Sequence, residues 1–257
     1  MICIMKEFYI DSDGIKLHAK LDCPEGMDKG PLCILIHGFT GNMEEDHLLA
    51  VTKAMNESGI KVLRVEMYGH GESGGEFKDH TLYKWVSNAL SVVKYAKSLD
   101  NVTDLYLCGH SQGGLLTMLV GGMCADDFKA IIPLSPAWMI PEICREGEIL
   151  GTTFDPKHIP EIVKSTDDWT LGGDYIRVAQ TIHVEDEIAR YEGPVLIVHG
   201  VNDEVVPYMY AEKADKLYKN CKLVGIKGAD HCFIGQENEL ADVIREYFSN
   251  NFHTEFN

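Results

Sequence analysis

The sequence predicts an α/β fold: a mostly parallel, doubly wound sheet with helices on both faces and a small inserted lid. Three observations lead to this. Leu32-Cys33-Ile34-Leu35-Ile36, Leu105-Tyr106-Leu107-Cys108 and Val195-Leu196-Ile197-Val198 are short, continuous apolar runs, as expected of strands buried on both faces. Segments of helical period separate them, and strands alternating with helices pair in parallel through crossovers. The 257 residues are enough for one such domain with a modest insertion.

Taken in order, Phe8-Tyr9-Ile10, the turn Asp11-Ser12-Asp13-Gly14 and the alternating Ile15-Lys16-Leu17-His18-Ala19 form an antiparallel hairpin. Residues 24–31 are a loop before the first buried strand, which ends in His37-Gly38-Phe39-Thr40-Gly41. A helix over about 48–58, the strand Val62-Leu63-Arg64-Val65 and the loop Tyr68-Gly69-His70-Gly71-Glu72-Ser73 follow. Within 81–99, Leu82, Trp85, Val86, Ala89, Leu90, Val93 and Ala96 recur at the period of an amphipathic helix. After the second buried strand come an apolar helix and the strand Ala130-Ile131-Ile132-Pro133-Leu134.

The rhythm then breaks. Residues 135–186 hold four prolines and the pair Gly172-Gly173, and an irregular stretch of that length inside a compact fold is usually a lid or binding cap. The expected division is therefore a core of 1–134 and 187–257 with a lid of 135–186. The core pattern resumes with a strand to Gly200, a helix near 208–218, the strand Lys222-Leu223-Val224-Gly225-Ile226 and a closing helix near 238–248.

Composition limits the function. A net charge of −17 without a Lys/Arg cluster argues against nucleic acid and anionic membrane surfaces as partners. No apolar run reaches the roughly 18 residues of a bilayer span, and the first residues lack the pattern of a secretion signal, so a cytoplasmic address is expected. The eight cysteines include no C-x-x-C pair and are expected to be free thiols. The eleven histidines show neither H-E-x-x-H nor clustering at ligand spacing, so neither a metal nor another cofactor is expected. A homodimer is compatible with the sequence and not required by it.

The chemistry centres on Gly109-His110-Ser111-Gln112-Gly113, a G-x-S-x-G at a strand-to-helix junction. A serine on such a turn is held in strained backbone geometry with glycine on both flanks, and the helix start behind it favours negative charge. A serine hydroxyl needs an imidazole to take its proton, and the imidazole needs a carboxylate. On this topology the chain order is Ser, acid, His. Asp203 follows the strand ending at Gly200, and His231 follows the next strand. Glu204 is the competing acid, while Asp230 reads as a loop neighbour of His231. The oxyanion donors expected are the backbone N–H groups of Gln112 and Phe39. His37 and His110 read as structural supports, and His70 shapes its loop and is a candidate for contact with substrate.

These residues resemble the α/β-hydrolase family, and more narrowly the bacterial cinnamoyl and feruloyl esterases. The resemblance runs through His37-Gly38-Phe39-Thr40-Gly41, Met67-Tyr68-Gly69-His70-Gly71, the serine motif, Leu134-Ser135-Pro136-Ala137, Arg177-Val178-Ala179-Gln180 and Gly228-Ala229-Asp230-His231-Cys232-Phe233. It implies an α/β-hydrolase fold and cofactor-free hydrolysis of hydroxycinnamate esters, a small-molecule substrate, through an acyl-enzyme on Ser111 with His231 and Asp203. It further implies lid aromatics lining the acyl pocket, with Trp169 and Tyr175 as candidates. A hydrolase of the same fold for another acyl group (short-chain esterase, monoacylglycerol lipase or peptidase) is the alternative. A lipase should carry an apolar cap, whereas this lid carries Lys157, Lys164, Asp167 and Asp168.

Overall fold

The computed structural model describes residues 3–165 and 169–252; Asp167 and Asp168 of the expected lid lie outside them. β1 (Cys3–Ser12) and β2 (Ile15–Pro24) form the hairpin. Asp13 and Gly14 at its tip have φ of 47° and 81°, the double left-handed turn whose twist matches paired strands. Then follow β3 (Gly30–Ile36), α1 (Asp46–Glu57), β4 (Lys61–Val65), α2 (Leu82–Lys97), β5 (Val102–His110), α3 (Gln112–Met123) and β6 (Phe128–Leu134). The segment after β6 holds α4 (Ile140–Glu146), the two-residue strands β7 (Glu148–Ile149) and β8 (Thr152–Thr153), β9 (Ile162–Lys164), β10 (Thr170–Gly172), α5 (Gly173–Ala179) and α6 (Val184–Arg190). β11 (Val195–Gly200), α7 (Met209–Leu217), β12 (Cys221–Ile226) and α8 (Glu237–Asn251) complete the fold.

Eight strands make one sheet in the order β1-β2-β4-β3-β5-β6-β11-β12. The contacts β1–β2 and β2–β4 are antiparallel, and every later pairing is parallel. The apolar strand runs serve both faces because side chains alternate along a strand. Leu32, Ile34, Ile36, Leu107, Ile131 and Ile197 enter one core; Cys33, Leu35, Tyr106, Cys108, Ile132 and Leu196 enter the other.

Local chemistry sets the helix limits. Thr81 Oγ1 accepts the Lys84 N–H at 3.1 Å, so the amphipathic stretch is capped at Thr81 and runs from Leu82. Leu90, expected on its apolar face, is instead exposed, and Val92 is buried. At 100° per residue Val92 continues the stripe of Leu82, Trp85 and Ala89, while Leu90 has turned away from it.

Helix α6 belongs with the helices that cover the sheet. A Cβ added at Gly122 of α3 would stand 2.3 Å from the Glu187 carbonyl oxygen, so the two helices meet backbone to backbone. Among the described residues, no helix is long and apolar enough to cross a membrane.

Candidate active site

The loops beyond the carboxyl ends of β3, β5, β11 and β12 converge, where doubly wound sheets collect their chemistry. Ser111 sits between β5 and α3 at φ 56° and ψ −117°, a conformation that costs a non-glycine residue on the order of 1–3 kcal/mol. Its N–H donates to Leu134 O at 2.9 Å, and its carbonyl accepts the N–H groups of Leu115 and Ala137 at 3.0 Å each. The neighbouring strand and the helix thus hold the turn from both sides.

The glycines of the motif have separate steric reasons. A Cβ at Gly109 would lie 2.3 Å from Gly113 O, and one at Gly113 would lie 2.4 Å from both Ile36 O and His37 O. The second glycine therefore lets α3 start directly against the end of β3. Gly38 brings the loop after β3 over the serine: a Cβ there would stand 3.6 Å from Ser111 Oγ.

That loop is fixed by two histidines. His37 Nδ1 bonds the Gly38 carbonyl at 2.8 Å, and the Met67 N–H donates to His37 Nε2 at 3.0 Å. The ring is therefore neutral, donating from Nδ1 and accepting at Nε2. Burial, seconded by His70, lowers its pKa to about 3. His70 Nε2 bonds Phe39 O at 2.5 Å. In a trans peptide the C=O and the next N–H point in opposite directions, so the bond to Gly38 O aims the Phe39 N–H the other way. The bonds to Ser111 O do the same for the Gln112 N–H. Among the described residues, neither N–H is used in another backbone bond.

Asp203 and His231 come together. His231 Nδ1 donates to Asp203 Oδ2 at 2.7 Å; Asp203 Oδ1 accepts the N–H groups of Val205 and Val206, each at 2.8 Å. The Asp203 side chain is fully buried. Burial alone would raise its pKa, but hydrogen bonds from His199 and His231, with the backbone donors, outweigh burial and hold the carboxyl below the usual carboxylate range. The His231 carbonyl accepts from His110 Nε2 at 2.8 Å, with the two rings 4.7 Å apart, which ties the histidine loop to the residue before Ser111. No direct bond between Ser111 Oγ and His231 is among the hydrogen bonds of the described residues, and in substrate-free hydrolases that bond is often long.

The competing acids are accounted for by their own contacts. Glu204 is exposed and lines a cavity. Asp230 Oδ1 accepts the N–H groups of Cys232 and Ile234 at 3.1 and 2.9 Å, shaping the histidine loop. Sequence reasoning missed His199, whose Nε2 lies 3.1 Å from Asp203 Oδ2. The available signal was a histidine closing an apolar strand four residues before the acid.

The two aromatics expected in the lid are placed differently. Trp169 packs 5.5 Å from the Phe39 ring and lines a cavity of about 720 Å³ with Thr40, Met139, Ile143, Leu150 and Tyr210. Tyr175 is fully buried and gives its hydroxyl to Gln112 Oε1 at 2.6 Å. It holds the residue after the serine from behind, with its polar end already used.

Comparison with known proteins adds the family. A family model described as serine aminopeptidase, S33, matches residues 29–166, just over half of the chain, and one described as TAP-like protein matches 167–252. Est1E from Butyrivibrio proteoclasticus, in a structure with ferulic acid bound, is 55% identical over 95% of this chain and 98% of its own, with a TM-score of 0.93. Curated relatives are more distant: human protein ABHD12B is 24% identical over 86% of this chain, and the zebrafish (Danio rerio) lysophosphatidylserine lipase ABHD12 is 26% identical over 84%. The chain spans only 61% and 58% of the lengths of those two. By the serine-hydrolase model over half its length and by its identity to Est1E across nearly all of it, the chain belongs to the α/β-hydrolase family.

Proposed function

We propose that the protein is a serine carboxylesterase that hydrolyses hydroxycinnamate esters of the feruloyl and cinnamoyl class. The observation that carries this is the 55% identity, over 95% of the chain, to a protein whose structure holds ferulic acid. The cavity beside Thr40 and Trp169 supports it. At about 720 Å³ it lies within the usual range for a small-molecule site, and like such sites it is walled mainly by apolar side chains.

On this reading Ser111 is the nucleophile. His231 removes the hydroxyl proton as Ser111 Oγ bonds to the ester carbonyl carbon, and Asp203 on the far nitrogen fixes the tautomer and stabilises the imidazolium. The oxyanion that forms is received by the N–H groups of Phe39 and Gln112. Collapse breaks the ester C–O bond, and His231 returns the proton to the departing alcohol. Water, deprotonated by the same imidazole, then cleaves the acyl-enzyme to release the hydroxycinnamate. The residues 135–186 act as the lid, with Trp169 on the substrate side and Tyr175 bracing Gln112. A cytoplasmic enzyme goes with this reading, since the cysteines from Cys23 to Cys232 are free thiols, as suits a reducing compartment. All of the proposed machinery comes from one chain, so a homodimer is not needed for it.

The test is a comparison of kcat/KM for methyl ferulate with that for an equally activated butyrate ester. A clear preference for the ferulate is expected. A strong preference for butyrate would transfer the enzyme to the short-chain or lipase class.

A further inference from the structure

Gly41, in the loop between β3 and α1, has no part in the mechanism above, and a neighbouring carboxylate accounts for it. A Cβ at Gly41 would stand 2.4 Å from Glu45 Oε2, so the glycine makes room for the Glu45 side chain at the start of α1. At the second position of that helix lies His47, and across from it is His110 at the end of β5. The two imidazole rings are 4.3 Å apart at 66°. One ligand atom from each of Glu45, His47 and His110 falls within 4.8 Å of the other two.

Two imidazole nitrogens at this junction are unsatisfied, and the Glu45 carboxylate has only a long bond from the Asn42 N–H, at 3.4 Å. His47 and His110 are 3% and 2% exposed, yet His47 Nε2 and His110 Nδ1 have no hydrogen-bond partner. A buried polar atom left unpaired forfeits its hydration without recompense, so two together call for an occupant. His110 has its other nitrogen on the His231 carbonyl at 2.8 Å, which makes Nε2 the N–H and leaves Nδ1 a bare lone pair. That is how metal-binding histidines are usually held, with the remote N–H given to a carbonyl that fixes tautomer and ring plane. Glu45 is half-buried and provides the opening to solvent.

We propose that Glu45, His47 and His110 form a binding site for a divalent transition cation of the zinc type. Two imidazoles and one carboxylate are a donor set such ions take up readily, with a fourth position left for water. Sequence spacing conceals the site, because its members come from α1 and β5. A cation there ties the start of α1 to the strand that carries Ser111, one hydrogen bond from the His231 backbone. The site does not depend on which ester the enzyme cleaves.

Chelator-treated protein titrated with Co²⁺ tests this, with Zn²⁺ then used for displacement and for thermal shift. The expected result is one Co²⁺ per chain with a visible ligand-field band of nitrogen and oxygen donors, displaced by Zn²⁺, and a Zn²⁺-dependent rise in Tm. Glu45→Gln and His47→Gln, each checked for native circular dichroism, should weaken binding at least ~10-fold. Glu7→Gln should leave it unchanged; Glu7, His18 and Glu72 form the other His/carboxylate cluster among the described residues. Absence of the band and of the Tm rise would leave a water as the occupant and overturn the proposal. So would an intense thiolate-to-cobalt charge-transfer band, which would put the ion on cysteine, or a loss of binding in Glu7→Gln with Glu45→Gln unaffected.

Discussion

The sheet and the segment between β6 and β11 solve the same problem, satisfying backbone polar groups, in opposite ways. In the sheet each buried strand pairs with its neighbours, backbone to backbone, as β3 does with β4 and β5. In the inserted segment the strands are two or three residues long, and long polar side chains do much of the pairing. Gln180 Nε2 donates to Cys144 O and Pro156 O at 2.9 and 3.1 Å. Arg177 Nη2 reaches Ile159 O and Arg145 Nη1 reaches Ile182 O, both at 3.0 Å. Both ends of the Arg177-Val178-Ala179-Gln180 segment are thus staples. The ladder gives rigidity; the stapled insert can change shape by altering a few side chains, as the proposed lid would require.

Substitutions can separate the two regions. Ser111→Ala should lower kcat on any ester by on the order of 10⁶ with the fold retained; a rate within tenfold of wild type would place the nucleophile elsewhere. Asp203→Asn should lower kcat by ~10⁴ by presenting the wrong tautomer to His231. It should also alter the pH dependence of stability. The Asp203 carboxyl is held below its ordinary value of about 3.9, so its ionised form stabilises the fold above that pH, and this contribution is lost as pH falls through the lowered value. The stability gap between wild type and Asp203→Asn, followed by urea unfolding, should narrow below about pH 4.

Smaller effects follow from the supports. His37→Phe removes the donor to Gly38 O and should lower kcat by up to ~10²-fold with KM nearly constant; a change confined to KM would deny that His37 aims an oxyanion donor. Gln180→Ala should raise KM for methyl ferulate while leaving turnover of a small acetate ester close to wild type. If both esters suffer equally, the insert is not a separate selecting wall. The smallest effect is expected from Tyr175→Phe, which strands Gln112 Oε1 and should cost about 1–3 kcal/mol of stability, read as a fall in Tm.

The same contrast explains what the sequence could reveal. Runs such as Leu32 to Ile36 are legible because a strand buried on both faces has few other compositions available, and the order of Ser111, Asp203 and His231 is legible because the topology dictates it. Contacts between remote elements leave no periodic trace. The four-residue spacing from His199 to Asp203 does not by itself say that the ring reaches the carboxylate, and Glu45 and His47 are some sixty residues from His110. Trp169 and Tyr175 are alike as letters in an irregular stretch; only the packing of α5 against Gln112 and Phe39 separates the one facing the cavity from the one behind it. The Leu90 reading failed for a simpler reason, since a residue one turn from both Val86 and Val93 can fit a loose stripe and only tertiary packing chooses.

In the proposed mechanism, the bond from His37 to the Gly38 carbonyl bears on the size of the barrier. In water, dipoles that stabilise an alkoxide must first rotate toward it, and that reorganisation is part of the activation free energy. Here the Gly38–Phe39 peptide is locked before any ester arrives, by a neutral imidazole that is itself held by the Met67 N–H. The work of orienting that dipole was done when the chain folded, and it need not be repeated at each turnover.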